Sequence, residues 1–413
     1  MIGRLGTVEI AAVGLGSQIF FLYHLTVFGI CSGGTIFTAQ FWGKRDIAGI
    51  RKNMGLCISL NLSLGVFFTL GAFLIPDKLI AIYSRDPLVI EAGAEYLRFI
   101  SPAFIPFSIS MVYGLTLRSV EKMRLPIAAT FISLSLNTIL NYIFIFGAGP
   151  IPSMGVRGAA LAVSIARCTE VFILIIGSYV FKYPPAGKFK ELFSFNSAYT
   201  VRYLKIALPV IINEVIWAIG HSSQNLVLAR SSTEAIAAYN ITNTVFQLIW
   251  VVFVGFSNGV AVLIGKKIGE GKDDEARDYA FKIIRFAPLV SLGAIAILLP
   301  ISRLVPLVFN VSNEVLQTSA RMFIVLCCVF PLRAIHISMV LGVCRAGGDT
   351  VFCAFYEILP IWLVSLPLGA IASFVFSAPA HIIFLCFHAE DPVKAALSLW
   401  RLKSGKWLRN VVS

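Results

Sequence analysis

The stretch that decides the fold runs from Thr233 to Lys267 and reads TEAIAAYNITNTVFQLIWVVFVGFSNGVAVLIGKK. No Asp, Glu, Lys or Arg occurs between Glu234 and Lys266. A helix needs about 20 apolar residues to cross the hydrocarbon core of a bilayer, because each residue advances about 1.5 Å. This run exceeds that length and leaves room for tilt, so it predicts a transmembrane helix.

The composition extends this conclusion to the whole chain. Of 413 residues, 58% are hydrophobic and only 13% are charged, and the mean hydropathy is +0.85. A soluble domain needs roughly a quarter of its residues charged, so we expect an all-α polytopic membrane protein. The net charge of +13 does not indicate nucleic-acid binding, because the basic residues lie between apolar runs. The eight cysteines show no metal-ligand spacing, and we expect neither a metal site nor a cofactor.

Eleven apolar runs are long enough to be transmembrane helices. They lie at approximately 10–41, 54–75, 92–117, 125–146, 156–181, 203–229, 235–264, 280–301, 320–344, 351–376 and 379–402.

Basic residues concentrate in alternate connections between these runs. The positive-inside rule makes that side cytoplasmic, which places the C-terminus inside and Met1 outside. The basic residues assigned to that side are Lys44, Arg45, Arg51, Lys52, Arg118, Lys122, Arg124, Lys182, Lys188, Lys190, Arg202, Lys205, Lys266, Lys267, Lys272, Arg277, Lys282, Arg285, Arg345, Lys394, Arg401, Lys403, Lys406 and Arg409.

Two distant segments of the chain resemble each other. The segment from Thr7 to Arg51 aligns with that from Thr233 to Arg277 without gaps. The identical pairs include Ile10 and Ile236, Ala11 and Ala237, Phe20 and Phe246, and Gly33 and Gly259. Both segments end in a charged connection on the same side, which predicts parallel repeats, a pattern found in transporters.

The repeat also implies a helix that precedes this sequence. The run 203–229 opens the second half, and its counterpart in the first half would lie before Met1. We therefore expect twelve spans in a complete molecule, with the first one missing here. A translation start assigned at an internal methionine is favoured over a natural truncation.

Glu214 is the most informative polar residue, because it lies in ALPVIINEVIWAIG, residues 207–220, with no other charge between Lys205 and Arg230. An acid at membrane depth is costly and usually faces a partner or a wet cavity on a transport path. The functional interpretation is favoured over a protonated structural carboxyl. Trp217, three residues further on, shares its helix face and is a candidate to line the same site.

Other intramembrane polar residues leave their roles open. Glu357 is shallow enough to reach the membrane surface, so structural and functional roles are equally plausible. Asn137 and Asn141 share a helix face and either hold helices together or offer carbonyl oxygens to a small cation.

The remaining intramembrane charges include one internal pair. Arg167 and Glu170 are three residues apart and predict a structural ion pair. Arg333 needs an acidic partner that the sequence does not name. Of the adjacent acids Glu390 and Asp391, at most one is expected to face the lumen, and we treat Asp391 as a possible coupling charge.

Several motifs carry a family resemblance. GRLGTVEIAAVGL, LNTILNYIFIFG, GVRGAALAVSIAR, ALPVIINEVIWAIG, CRAGGDT and SLWRLKSGKWLRN occur in that order along nearly the whole chain. In this order and spacing they resemble the multidrug and toxic compound extrusion (MATE) family, and in particular its NorM-like bacterial branch.

The resemblance implies two six-helix lobes around a V-shaped cavity, alternating access, and export of organic cations in exchange for Na⁺ or H⁺. Glu214 matches the position of a cation-coupling glutamate in NorM-like members. Asn137 and Asn141 match an asparagine–acid pair of DinF-like members, with Asn in place of the acid. Arg333 stands roughly where NorM-like members carry an aspartate.

The predicted organisation is an N-terminal lobe at 1–182, a cytoplasmic linker at 183–202 and a C-terminal lobe at 203–413. We expect a monomeric, non-enzymatic antiporter in the bacterial inner membrane, with small organic cations as substrates and no nucleic-acid partner. The alternatives are a lipid-linked sugar flippase of the same superfamily and a truncated, non-transporting remnant. An intramembrane transferase is disfavoured, because Glu390 and Asp391 are the only acid pair within a predicted span.

Overall fold

The structure is a computed structural model that describes residues 6–148, 150–302 and 311–412. Within these ranges the regular structure is helical, apart from one isolated antiparallel bridge between Ala148 and Ile151. The predicted all-helical membrane fold is therefore confirmed. Met1, predicted to be extracellular, lies outside the described residues.

The chain divides into two compact units, Met1–Ile211 and Ile212–Ser413. The helices of the first unit are α1 Thr7–Gly43, α2 Ile47–Leu74, α3 Pro76–Ala81, α4 Pro87–Ile100, α5 Phe104–Ser119, α6 Arg124–Phe146, α7 Gly155–Val180, α8 Phe189–Leu192 and the beginning of α9 Ser197–Ser231. The second unit contains the rest of α9, α10 Thr233–Gly269, α11 Asp273–Ser302, α12 Asn313–Ile337, α13 Thr350–Pro360, α14 Leu366–Phe374, α15 Ala380–Phe387 and α16 Glu390–Ser404.

Short irregular segments join some of these helices. The 3₁₀ turn Ser101–Ala103 connects α4 to α5. The π-helical segment Ser338–Cys344 follows α12, and a second one, Ile361–Ser365, connects α13 to α14. Segments of π-helix inside longer helices are frequent at functional sites.

Among the residues that the structure describes, ten of the predicted spans correspond to helices that are long and apolar enough to cross a membrane. The eleventh, 379–402, is not one continuous helix, because it is divided into the shorter helices α15 and α16. Pro392 explains the break: inside a continuous helix its ring would clash with the carbonyl of His388. In the first turn of a new helix it is tolerated, and α16 accordingly begins at Glu390.

The boundary between the two units falls inside α9, after Ile211. The first turns of α9 pack tightly on α1. Tyr203 is fully buried and donates a hydrogen bond to the carbonyl of Ile30 at 2.5 Å. A Cβ on Gly33 would lie only 2.6 Å from the Cβ of Ala207. These contacts bind the start of α9 to the first unit.

The second unit has a core around the first π-helical segment. Met339 and Val343 pack with Ile264 of α10 and with Trp407, and all four side chains are buried. A Cβ on Gly342 would lie 2.7 Å from the side chain of Val260. This close packing fixes the segment that leads directly into Arg345.

Candidate functional site

Glu214 forms an ion pair with Arg345. Arg345 Nη2 donates to Glu214 Oε1 at 2.5 Å, and the side chains are only 6% and 13% exposed. Arg345 lies in the helical turn after Ser338–Cys344, so its predicted place in a connecting loop is wrong. An arginine cannot lose its charge in a protein, so burial requires an acidic partner, and Glu214 meets that requirement.

Glu357 lies beside the same helix as Glu214. Asn213 Nδ2 donates to Glu357 Oε2 at 3.2 Å, which connects α9 to α13. Glu357 is also close enough to Glu214 for an electrostatic interaction between the two acids. The group formed by Glu214, Glu357 and Arg345 thus contains two carboxylates and one guanidinium.

Trp217, predicted to line the site, takes part in an aromatic group. Its ring is stacked on Trp250 of α10, with centroids 6.3 Å apart and planes 16° apart. The ring of His221 approaches Trp217 edge-on, with centroids 4.3 Å apart. Parallel indole rings offer the kind of surface on which organic cations bind.

The first unit holds the predicted asparagine pair and the predicted internal ion pair. Asn141 Nδ2 donates to Asn137 Oδ1 at 3.0 Å, so the two amides share a face of α6 and bond to each other. Arg167 Nη1 lies 2.8 Å from Glu170 Oε2, which confirms that ion pair. Thr130 Oγ1 donates to Glu170 Oε1 at 3.0 Å and so links α6 to α7.

Arg333 lies next to a histidine and an aromatic ring. Its Nη1 is 3.4 Å from His388 Nδ1, and its guanidinium is 5.2 Å from the ring centroid of Phe246. His388 in turn contacts Asp391, which also interacts electrostatically with Arg333. The sequence did not identify these partners.

Both acids of the predicted pair at the last span are buried. Glu390 Oε1 lies 3.2 Å from Lys394 Nζ, and Asp391 contacts His336 and His388. Both acids belong to the first turn of α16 and not to the middle of a span. Lys394, predicted to be among the cytoplasmic loop charges, is fully buried in α16, so that prediction is wrong.

Sequence reasoning missed several residues of the second unit. Asn213, Trp250 and Arg345 carried no sequence signal beyond their residue type. The pair of Glu390 and Lys394 did carry one, because residues four apart share a helix face. In the part of the chain that the structure describes, no group of three or more His, Cys, Asp or Glu residues is placed to hold a metal ion.

In the described residues, ten apolar helices of span length in two units, with paired charges buried among them, define a polytopic, all-helical membrane protein. The chain belongs to the MatE family, whose family model matches residues 1–143 and 209–371. It is therefore a multi-pass membrane transporter and not an enzyme.

Individual relatives agree with this assignment. The chain is 25% identical to the probable multidrug resistance protein NorM of Thermotoga maritima, over 100% of this chain and 88% of that protein. It is 23% identical to the uncharacterized transporter YisQ of Bacillus subtilis, over 99% of this chain and 90% of that protein. A solved structure of a MOP superfamily transporter from Pyrococcus furiosus has the same fold, with a TM-score of 0.85 at 19% identity, over 98% of this chain and 90% of that one.

Proposed function

We propose that this chain exports organic cations from the cytoplasm in exchange for inward Na⁺ or H⁺, by alternating access. The observation that carries the proposal is the carboxylate of Glu214, buried in an apolar helix beside a second acid and stacked indoles. Relatives named as probable multidrug resistance proteins support the export of drugs. We expect a monomer in the bacterial inner membrane with a cytoplasmic C-terminus.

The proposed mechanism follows from the charges around Glu214. With Glu214 and Glu357 ionised, their group with Arg345 has one negative charge in excess, which attracts an organic cation onto Trp217. When a proton or Na⁺ later occupies the carboxylates, the organic cation loses this attraction and is released. Because one group cannot hold both cations, their occupancies are mutually exclusive, and this competition couples the two fluxes.

Arg345 changes the scheme that the sequence alone suggests. Glu214 is not a free carboxylate, and an arriving cation must compete with the guanidinium that is already bound to it. A cation that weakens this ion pair also loosens the contact between α9 and the segment that follows Ser338–Cys344. In this way, binding at Glu214 is linked to a local rearrangement of helices.

The second candidate, a lipid-linked sugar flippase, requires cationic side chains that can bind an anionic phosphate. The buried basic residues make it worth testing, but each has an acidic neighbour that reduces its free positive charge. In the described residues the buried pairs are Arg345 with Glu214, Lys394 with Glu390, Arg333 with Asp391 and Arg401 with Asp349, and the half-buried Arg167 pairs with Glu170. The pairing favours cationic over anionic substrates.

The test is ethidium efflux from proteoliposomes with an imposed Na⁺ or pH gradient. We expect Glu214→Gln to abolish gradient-driven efflux and Glu214→Asp, which keeps the charge, to retain part of it. Glu270→Gln is the matched control, because Glu270 pairs with Lys267 and Lys272 in the connection after α10. Undiminished efflux by Glu214→Gln would refute the proposed mechanism. If the wild-type protein transports ethidium under neither gradient, the alternative of a non-transporting remnant is supported.

A further inference from the structure

A second group of buried polar residues lies in the second unit, outside the contacts of Glu214. Asp391 Oδ1 is 3.1 Å from His336 Nε2, and Asp391 Oδ2 is 2.8 Å from His388 Nδ1. All three side chains are buried, and Asp391 is not exposed at all. One carboxylate therefore holds two imidazoles, one from α12 and one from the break between α15 and α16.

The hydrogen-bond chemistry decides which ring nitrogens carry protons. An ionised carboxylate can only accept hydrogen bonds, so His336 Nε2 and His388 Nδ1 must both be donors. In a neutral imidazole the other nitrogen then has a free lone pair. Those nitrogens are His336 Nδ1 and His388 Nε2, and both are buried without a hydrogen-bond partner in the described part of the chain.

Two buried acceptors without partners are costly in an apolar interior. A proton on either nitrogen gives an imidazolium whose charge is attracted to the carboxylate of Asp391, and Arg333, 3.4 Å from His388 Nδ1, offsets part of this attraction. The same arrangement is unfavourable for Na⁺, which prefers oxygen ligands, because both oxygens of Asp391 already accept hydrogen bonds from the two rings. The chemistry of the group thus selects a proton over Na⁺.

The surrounding groups leave the centre close to neutral before a proton binds. Arg333 on α12 and Lys394 on α16 balance Asp391 and Glu390. The other titratable neighbours are His221 on α9, which interacts electrostatically with Arg333, His388 and Asp391, and Tyr239 on α10, which interacts with Arg333. On α11, Ala287, Val290 and Ala294 pack in the cluster that contains Phe330 and Ala334 of α12.

We propose that His336, His388 and Asp391 form a proton-binding centre, and that a proton bound there, in place of one bound at the carboxylates of Glu214 and Glu357, is the ion exchanged for the organic cation. The second half of this statement rests on the proposed function. Protonation adds one positive charge to a group that was neutral. His221 interacts electrostatically with the centre and contacts Trp217, so this charge acts on an organic cation held at the stacked indoles and favours its release.

The first experiment measures the histidines without reference to transport. Infrared difference spectra of the purified, full-length protein with isotope-labelled histidine are recorded on a step from about pH 8 to about pH 5, where histidine changes its charge. The variants are His388→Asn and His336→Gln, whose amide nitrogens stand at the positions of Nδ1 and Nε2. Each keeps a donor for Asp391 but has no basic lone pair, and both are compared with His381→Gln at the start of α15.

We expect a histidine protonation signal in the wild type and in His381→Gln that is lost or reduced in the other two variants. Signals of equal size in all four proteins would overturn the proposed centre. If one variant does not fold, the other still decides, because the two histidines lie on different elements and contact different oxygens of Asp391.

The second experiment measures coupling in proteoliposomes with ethidium as the probe. We expect a pH gradient to drive efflux by the wild type, and His388→Asn and His336→Gln to lose this efflux while still binding ethidium in a fluorescence titration. Efflux driven by Na⁺ alone would overturn the coupling role of the centre and leave the proposed export intact. If the wild type transports ethidium under neither gradient, the proposed function fails, and the infrared result alone decides whether the centre binds a proton.

Discussion

Arg345 Nη2 lies 2.5 Å from Glu214 Oε1, although the two residues are 131 positions apart in the chain. Two formal charges in an apolar interior are stable only when they neutralise each other. The contact therefore ties the middle of α9 to the turn that follows Ser338–Cys344. It also means that every cation that reaches Glu214 encounters an occupied carboxylate.

A double-mutant cycle tests this pair. Removing one partner of a buried ion pair costs about 3–5 kcal/mol, because the other charge stays without compensation. We expect Glu214→Gln and Arg345→Gln each to lower the apparent melting temperature of the purified protein in detergent. The double variant is expected to lose less than the sum of the two, since both charges disappear together. Additive losses would show that the two side chains do not stabilise each other.

The apolar runs predicted the long helices of the membrane region, apart from the segment 379–402. Helix length in a bilayer follows from the run of apolar residues alone, so the run from Ala235 to Ile264 predicts its helix without knowledge of its neighbours. The failure at 379–402 has an identifiable cause, because Pro392 and the polar residues before it break an otherwise apolar run. These residues indicated a helix break, but the mean hydropathy of the whole run did not reveal it.

The partners of the buried charges could not be predicted in the same way. Glu214 was identified from its position in an apolar run, but Arg345 follows from tertiary packing between distant helices, which one sequence does not specify. Arg167 and Glu170 were predictable because residues three apart meet on one helix face. Residues four apart also meet on one helix face, so Lys394 could have been predicted as the buried partner of Glu390 and not as a loop charge.

The ion pair in the first unit is expected to be structural. Glu170 accepts hydrogen bonds from Arg167 and Thr130 and so links α6 to α7. Glu170→Gln removes the charge and weakens these bonds, which we expect to cost about 1–3 kcal/mol of stability. Gradient-driven ethidium efflux per correctly inserted molecule should stay near the wild-type value, in contrast to that of Glu214→Gln. Loss of efflux at normal membrane levels would instead assign a coupling role to Glu170.

Gly33 and its repeat counterpart Gly259 allow the effect of tight packing to be measured separately from the effect of helix propensity. A Cβ on Gly33 would lie 2.6 Å from the Cβ of Ala207, whereas a Cβ on its repeat counterpart Gly259 would meet nothing within 4 Å. Alanine stabilises a helix by about 1 kcal/mol relative to glycine. We therefore expect Gly259→Ala to be neutral or stabilising and Gly33→Ala to be destabilising in a thermal unfolding assay. Equal effects would show that α1 and the start of α9 are not in close contact.

Trp217 provides the most direct test of the substrate class. A cation over a Trp face gains about 0.5–2 kcal/mol, depending on how far it is desolvated. We expect Trp217→Ala to raise the Kd for ethidium by about 2- to 30-fold, which corresponds to this range of free energies. Trp217→Phe should raise the Kd less, because Phe keeps an aromatic face. Fluorescence titration of the purified protein measures both, and Trp400→Ala serves as the control, since Trp400 is 56% exposed on α16. Unchanged affinity in Trp217→Ala would exclude the stacked indoles as the site of the organic cation, whereas an equal loss in Trp400→Ala would point to nonspecific binding on exposed aromatic rings.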